Sequence, residues 1–204
     1  KLYLAKAKLG QAKCYIKKND LKSAINAAFE ALRGFEGLKD NNFISQAYAQ
    51  IGMVNYKLKN TEKAIDYFKK SLEIGLQSRT DNNIAYAYNN LGNIFSVDRK
   101  THDIALEYYK RALNIRKLRK HDLELAPILS NMGIIYRERK EYNLAQNFYK
   151  ESLELSLKNN KKKDACICYT NIGNIYFELN DFKQADYNYR QALRYLGDDF
   201  QIKE

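Results

Sequence analysis

The sequence predicts an all-α fold of stacked helical hairpins, and three observations predict it. The first is self-similarity. Ala12, Gly52, Gly92, Gly133 and Gly173 recur at intervals of 40, 40, 41 and 40 residues. Ala24, Ala64, Ala105, Ala145 and Ala185 keep the same beat, and each unit closes on a leucine: Leu32, Leu72, Leu113, Leu153 and Leu193. A shared period of this length marks a repeat architecture. The second observation is helical periodicity, twice in each unit. In the third unit Tyr88, Leu91, Gly92 and Phe95 follow the i, i+3, i+4, i+7 rule, and after "DRKTHD" Ile104, Ala105, Tyr108, Tyr109, Ala112 and Leu113 do so again. The third is the shortness of the breaks, such as "KN", "RK" and "LND". Short connections force successive helices to pack antiparallel. The expectation is about ten helices in five hairpins without strands, as one array with repeats near 1–39, 40–79, 80–120, 121–160 and 161–200.

The helix ends follow from capping chemistry. Asp40, Asp81, Asp122 and Asp164 precede the first helices as candidate N-caps. Pro127 is tolerated only in a first turn, so the fourth unit's first helix is expected to begin near Glu124 or Leu125 rather than at Asp122. The single interval of 41 places one extra residue between Gly92 and Ala105. Gly inside a helix costs about 1 kcal/mol relative to Ala. Its recurrence on the apolar face implies that a missing side chain lets the partner helix approach. Ala105 and its equivalents would fill the matching role, with large Tyr and Phe residues filling the space beside the contact.

Composition narrows the function. Charged residues make up 29% of the 204, and no apolar run approaches the length of a membrane span. The start "KLYLAKAKLGQAKCYIKK" has neither an initiator Met nor a signal-peptide core, so the chain is expected to be a fragment of a longer protein, with a cytoplasmic location as the expectation. The net charge of +11 favours acidic partners. Richness in Lys, Asn, Ile and Tyr accounts for that charge compositionally, and the runs "RKLRK" (116–120) and "KNNKKK" (158–163) read as solvated rim, so no specific nucleic-acid site is expected. Cys14, Cys166 and Cys168 form no disulfide framework; two positions apart on a helix, Cys166 and Cys168 point away from each other and read as small buried hydrophobes. His102 and His121 lack metal-ligand spacing, and no Gly-rich phosphate loop occurs. No catalytic residue, cofactor or metal is expected.

These residues resemble the tetratricopeptide repeat: an aromatic, Leu-Gly and a Tyr on the first helix, then Ala and an aromatic on the second. The third unit has Tyr88, Leu91, Gly92, Phe95, Ala105 and Tyr109, and the fifth has Tyr169, Ile172, Gly173, Tyr176, Ala185 and Tyr189. The second has Tyr48, Ile51, Gly52, Ala64 and Phe68, with Asn55 in place of an aromatic; the fourth has Leu129, Met132, Gly133, Tyr136, Ala145 and Tyr149. The first is degenerate: Lys8, Gln11, Ala12 and Ala28 replace the aromatic, Leu, Gly and second-helix aromatic. The period of about 40, against the usual ~34, is similar to the long repeats of kinesin light chains, Pins-type scaffolds and bacterial tetratricopeptide sensors and regulators. The resemblance implies a right-handed superhelical solenoid whose first helices line a concave groove. It implies a scaffold or adaptor that holds a peptide or segment of a partner protein there. The other role it implies is the sensory or regulatory part of a bacterial signalling protein, a histidine kinase or transcriptional regulator.

On a helical wheel at ~100° per residue, Leu91, Gly92 and Phe95 cluster with Tyr88, while Tyr86, Asn89, Asn90 and Asn93 fall on another face. Asn131 and Asn171 match Asn90, and Asn174 matches Asn93. The resemblance makes this face the groove. An Asn amide can bond a ligand's N–H and C=O together. Tyr56, Tyr86, Ile134, Ile167 and Phe177 would add apolar contact, and Lys57 and Arg137 could pair with an acidic side chain or a terminal carboxylate. The expected partner is therefore a protein or peptide segment, with acidic character favoured. Self-association through open solenoid ends is a further expectation.

Overall fold

The structure, a computed structural model, describes residues 1–118 and 124–196. His121, Asp122 and the end of the "RKLRK" run lie outside the described residues. Among those described there are ten α-helices and no strand. They are α1 (Leu2–Lys17), α2 (Leu21–Glu36), α3 (Asn41–Lys57), α4 (Thr61–Gln77), α5 (Asp81–Phe95), α6 (His102–Leu118), α7 (Leu125–Glu138), α8 (Tyr142–Lys158), α9 (Lys162–Glu178) and α10 (Phe182–Leu196). Two compact units divide the chain, the first Lys1–Ile115 and the second from Arg116 onward. The architecture is an all-α helical repeat, as the periodicity requires.

In the first unit, Ile44, Ala47 and Ile51 of α3 pack with Ala27, Ala28, Ala31, Leu32 and Phe35 of α2. One hairpin further on, Leu91 and Ile94 of α5 pack with Ala49 of α3 and Ala64 and Phe68 of α4. In the second unit Ile172 and Ile175 of α9 cover Ala145 and Tyr149 of α8. In these three places a first helix, α3, α5 or α9, buries its apolar stripe against the hairpin before it, which no isolated hairpin could do.

The repeated glycines face their own hairpin's second helix. A Cβ built on Gly92 would stand 2.6 Å from the ring of Tyr109; on Gly133, 2.6 Å from Tyr149; on Gly173, 2.7 Å from Tyr189. On Gly52 it would stand 3.1 Å from Phe68. So the bare Cα receives an aromatic ring four residues beyond the conserved-beat alanine, rather than the alanine itself. The first hairpin solves the same problem with two small residues, Ala12 and Ala28, both fully buried.

Helix ends confirm some caps and move others. Asp40 accepts from Phe43 N–H at 3.3 Å, as expected. Asp20 and Asp181, not singled out by the sequence, cap α2 and α10 through Ser23 N–H (3.1 Å) and Gln184 N–H (3.1 Å). Asp81 and Asp164 are not caps; they lie inside the first turns of α5 and α9, behind Thr80 and Lys161. There a carboxylate still complements the positive helix end. Pro127 sits in the first turn of α7, which begins at Leu125.

Most turns share one device, a left-handed residue at Asn19, Lys39, Lys59, Arg79, Lys140, Asn160 or Asn180, with φ between 51° and 63°. It lets the next N–H reach back five residues, as Asn60 N–H does to Asn55 O at 2.9 Å. The α5–α6 connection differs. It holds the extra residue that the sequence placed between Gly92 and Ala105, and closes through a 3₁₀ turn, Arg99–Thr101. Thr101 Oγ1 donates to Phe95 O at 2.6 Å and Asp98 accepts from Lys100 N–H at 3.0 Å.

Candidate functional site

The candidate site is the face formed by first helices, taken separately in each unit. In the first unit most of the amides expected to greet a ligand are engaged inside the protein. Asn90 is buried, not on an open face, and its Nδ2 donates to Tyr86 O at 2.8 Å. Asn55 and Asn188 make the same bond one turn back, to Ile51 O (2.9 Å) and Gln184 O (2.8 Å). These bonds satisfy the amide donors of mid-helix asparagines inside the protein. Asn93 is half-buried, and its Oδ1 accepts from Tyr109 Oη at 2.8 Å. Asn89 is half-buried with its Oδ1 shut away from solvent and without a partner. Tyr56 and Tyr86 are half-buried against the Ala49–Phe68–Leu91 cluster. Burial raises the Tyr86 phenol above its ordinary pKa, against hydrogen bonds from Asn90 and Gln50. Lys57 is exposed.

The second unit keeps a true depression. A cavity of about 140 Å³ lies between α7 and α9, lined by Ala126, Pro127, Ser130, Asn131 and Ile134 from α7, Ser152 from α8, and Asp164, Ile167 and Cys168 from α9. Its apolar part is Ile134 and the half-exposed Ile167; Ser130, Asn131 and Asp164 bring polar atoms to the same opening. Behind them, Cys168 Sγ donates to Ser152 Oγ at 3.2 Å and Ser152 Oγ donates to Ala126 O at 2.7 Å. Burial raises the Cys168 thiol pKa, so the sulfur is a packed, protonated group and not a nucleophile.

The structure therefore brings Asn131, Ile134 and Ile167 together and leaves the other candidates outside the cavity. Arg137 is half-buried, with Nε 3.7 Å from Glu178 Oε1. Asn174 accepts from Tyr189 Oη at 2.9 Å, and Asn171 is half-buried. Phe177 is exposed and meets Phe182 edge-on at 5.6 Å. Ser130, Asp164 and Cys168 were missed. Asp164 was available to sequence reasoning, since it stands three residues before Ile167 on one helical stripe. A larger cavity, about 390 Å³, opens between α1 and α2 and is lined by Leu4, Ala5, Gly34, Gly37 and Leu38, with the Lys8–Glu30 ion pair (2.8 Å) on its wall. It is not on the first-helix face. Among the described residues no group of His, Cys, Asp and Glu could hold a metal, and no helix is long and apolar enough to cross a membrane.

Paired antiparallel helices, a glycine-against-aromatic contact in four of the five hairpins and a polar first-helix face define a helical-repeat protein. The chain belongs to the tetratricopeptide repeat family, whose model matches residues 43–118 and 124–196. None of the curated proteins matches it in sequence. Several solved structures share the fold. BtubC (BKLC) from P. vanneervenii is similar at 21% identity and a TM-score of 0.79, over 91% of this chain and 76% of that one. The apo form of RapI gives 16% and 0.72, over 96% and 85%. A signal transduction ATPase with a tetratricopeptide repeat sensor from Pyrococcus horikoshii gives 22% and 0.82, over 94% of this chain but 29% of that one. The fold is that of a protein-interaction or regulatory repeat module, generally without catalysis of its own.

Proposed function

We propose that the α7–α9 face holds a segment of a partner protein, making this chain a peptide-binding scaffold or adaptor. One observation carries the reading: Ile134 and Ile167 flank a cavity of about 140 Å³ whose opening also presents Ser130, Asn131 and Asp164. An apolar side chain of the ligand enters between the isoleucines, while the amide and carboxylate bond the ligand's backbone groups. Acidic ligands are disfavoured at Asp164 itself. Arg137 accepts them only by exchanging Glu178 for the ligand's carboxylate, and the 3.7 Å separation makes that exchange cheap.

The test is selection of peptides from a displayed library on the full chain, followed by calorimetry. Ile134→Asp and Ile167→Asp are expected to abolish binding of the selected peptides while thermal unfolding stays in place. Peptides that bind both variants as well as the parent chain would place the site elsewhere.

A second reading, a sensory or regulatory segment of a bacterial signalling protein, has its own support. The sensor-bearing ATPase matches nearly all of this chain with less than a third of its own length. Under that reading the same cavity is filled by a neighbouring domain, and a selected peptide competes with that domain.

A further inference from the structure

The three turns that end α1, α3 and α5 lie along one edge of the first unit, because these helices all begin hairpins, run parallel and contact each other in sequence. They carry Lys17, Lys18, Lys57, Lys59, Arg99 and Lys100, all exposed. Among the described residues none of the six forms an ion pair. Four other cations in the unit are occupied: Lys8 bonds Glu30, Arg111 bonds Glu107, Lys6 lies over the Phe43 ring and Lys70 over Tyr48 and Tyr67. The only carboxylates in the three turns, Asp20 and Asp98, accept backbone N–H bonds from Ser23 and Lys100. Six cations against two carboxylates give this edge a net +4. The opposite edge, the turns 36–41 and 76–81, has Glu36, Lys39, Asp40, Arg79 and Asp81, a net −1.

Two aliphatic side chains stand out of the basic edge. Leu58, between Lys57 and Lys59, is 46% exposed, and Val97, next to Asp98 and Arg99, is 77% exposed. A polyphosphate chain gains nothing from them, and the ring that ends α5, Phe95, is half-buried and stacked on Tyr108 rather than open to a base. A bilayer uses both features: headgroup phosphates take the cations and the acyl boundary takes the aliphatic tips. We infer that the α1–α3–α5 turn edge is a docking surface for an anionic lipid bilayer, separate from the first-helix groove.

The experiment is co-sedimentation of the chain with large vesicles of phosphatidylcholine alone or with about one third phosphatidylserine. Partition onto the anionic vesicles only is expected, weakening with salt. Lys57→Gln with Lys59→Asn should lower that partition by roughly 25-fold, about fivefold for each cation near the surface. Lys39→Asn with Arg79→Asn removes the same charge from the opposite edge, and both new residues suit the left-handed turn. It should leave partition nearly unchanged. Leu58→Ser with Val97→Ser should lower it several-fold without changing charge, and circular dichroism melting of each variant checks the fold. Absence of partition onto anionic vesicles overturns the proposal. So does an equal loss in the opposite-edge variant, which would reduce the effect to net charge. Full retention by the serine variant, with single-stranded polynucleotide bound instead, overturns it in favour of nucleic acid.

Discussion

Hairpins three and five lay a tyrosine ring over a glycine and give its hydroxyl an acceptor, whereas hairpin four lays down the same ring and gives it none. Tyr109 donates to Asn93 and Tyr189 to Asn174, each the residue directly after the glycine. In hairpin four that place is Ile134, and the hydroxyl of the fully buried Tyr149 has no partner. The second hairpin avoids the question with Phe68 over Gly52, followed by Met53. The position after the glycine thus serves two masters. Where it is Asn it completes a hydrogen bond inside the hairpin; where it is Ile it lines the cavity between α7 and α9. The unsatisfied phenol is the cost of placing an apolar wall there.

The largest expected effect breaks the feature these hairpins share. Gly133→Leu must push a fully buried ring aside, since even a Cβ would lie 2.6 Å from it. A loss of about 3 kcal/mol is expected from denaturant unfolding. Gly52→Ala, at 3.1 Å from Phe68, recovers ~1 kcal/mol of helix propensity and should cost far less.

The next effect separates the tyrosines. Tyr109→Phe should cost about 1 kcal/mol, the net worth of its bond to Asn93. Tyr149→Phe should be neutral or stabilising by up to roughly 1 kcal/mol, because it removes a buried hydroxyl that bonds nothing. Equal losses in the two variants would dissolve the distinction. Ile134→Asn sharpens it: in a double-mutant cycle with Tyr149→Phe, a coupling of about 1 kcal/mol should appear, as Asn at this place meets the phenol in the other hairpins.

Alkaline titration reads the same group. Burial raises the Tyr149 phenol well above the ordinary phenol range. The folded form therefore keeps a proton that the unfolded chain releases near pH ~10. The unfolded state then binds fewer protons, so stability is fully present below that pH and falls as pH rises through and beyond it. Tyr149→Phe should flatten that fall, seen as a smaller drop in melting temperature above about pH 10.

The fold was legible because its signals are backbone rules repeated five times. The 40-residue beat of Gly, Ala and Leu marks packing positions, and the lone interval of 41 placed an extra residue between Gly92 and Ala105, the stretch in which the structure forms a 3₁₀ turn. Pro127 fixed the start of α7 near Leu125. The site was half legible. Asn131 and Ile134, placed on the wheel's polar face, do line the cavity, but Asp164 reads in the sequence as a cap, whereas α9 starts two residues before it, at Lys162. Asn90 bonds a neighbouring carbonyl and Asn93 a neighbouring phenol. Residue type alone does not tell which partner an amide reaches.

The smallest effect concerns the turns. Lys140 and Asn180 occupy equivalent left-handed positions in hairpins four and five, with φ of 63° and 61°. A side chain there crowds the following carbonyl, and Asn tolerates this better than Lys because its short amide bonds locally. The turn itself is the same in both hairpins: Glu141 N–H reaches Tyr136 O and Asp181 N–H reaches Tyr176 O, each at 2.9 Å. Lys140→Asn should therefore stabilise by about 0.5 kcal/mol or slightly more, read as a small rise in denaturation midpoint at unchanged slope. The reverse change, Asn180→Lys, should lose a similar amount. If both changes moved the midpoint in the same direction, the left-handed strain would not be what distinguishes the two turns. The side-chain surroundings of Lys140 and Asn180 would then decide it.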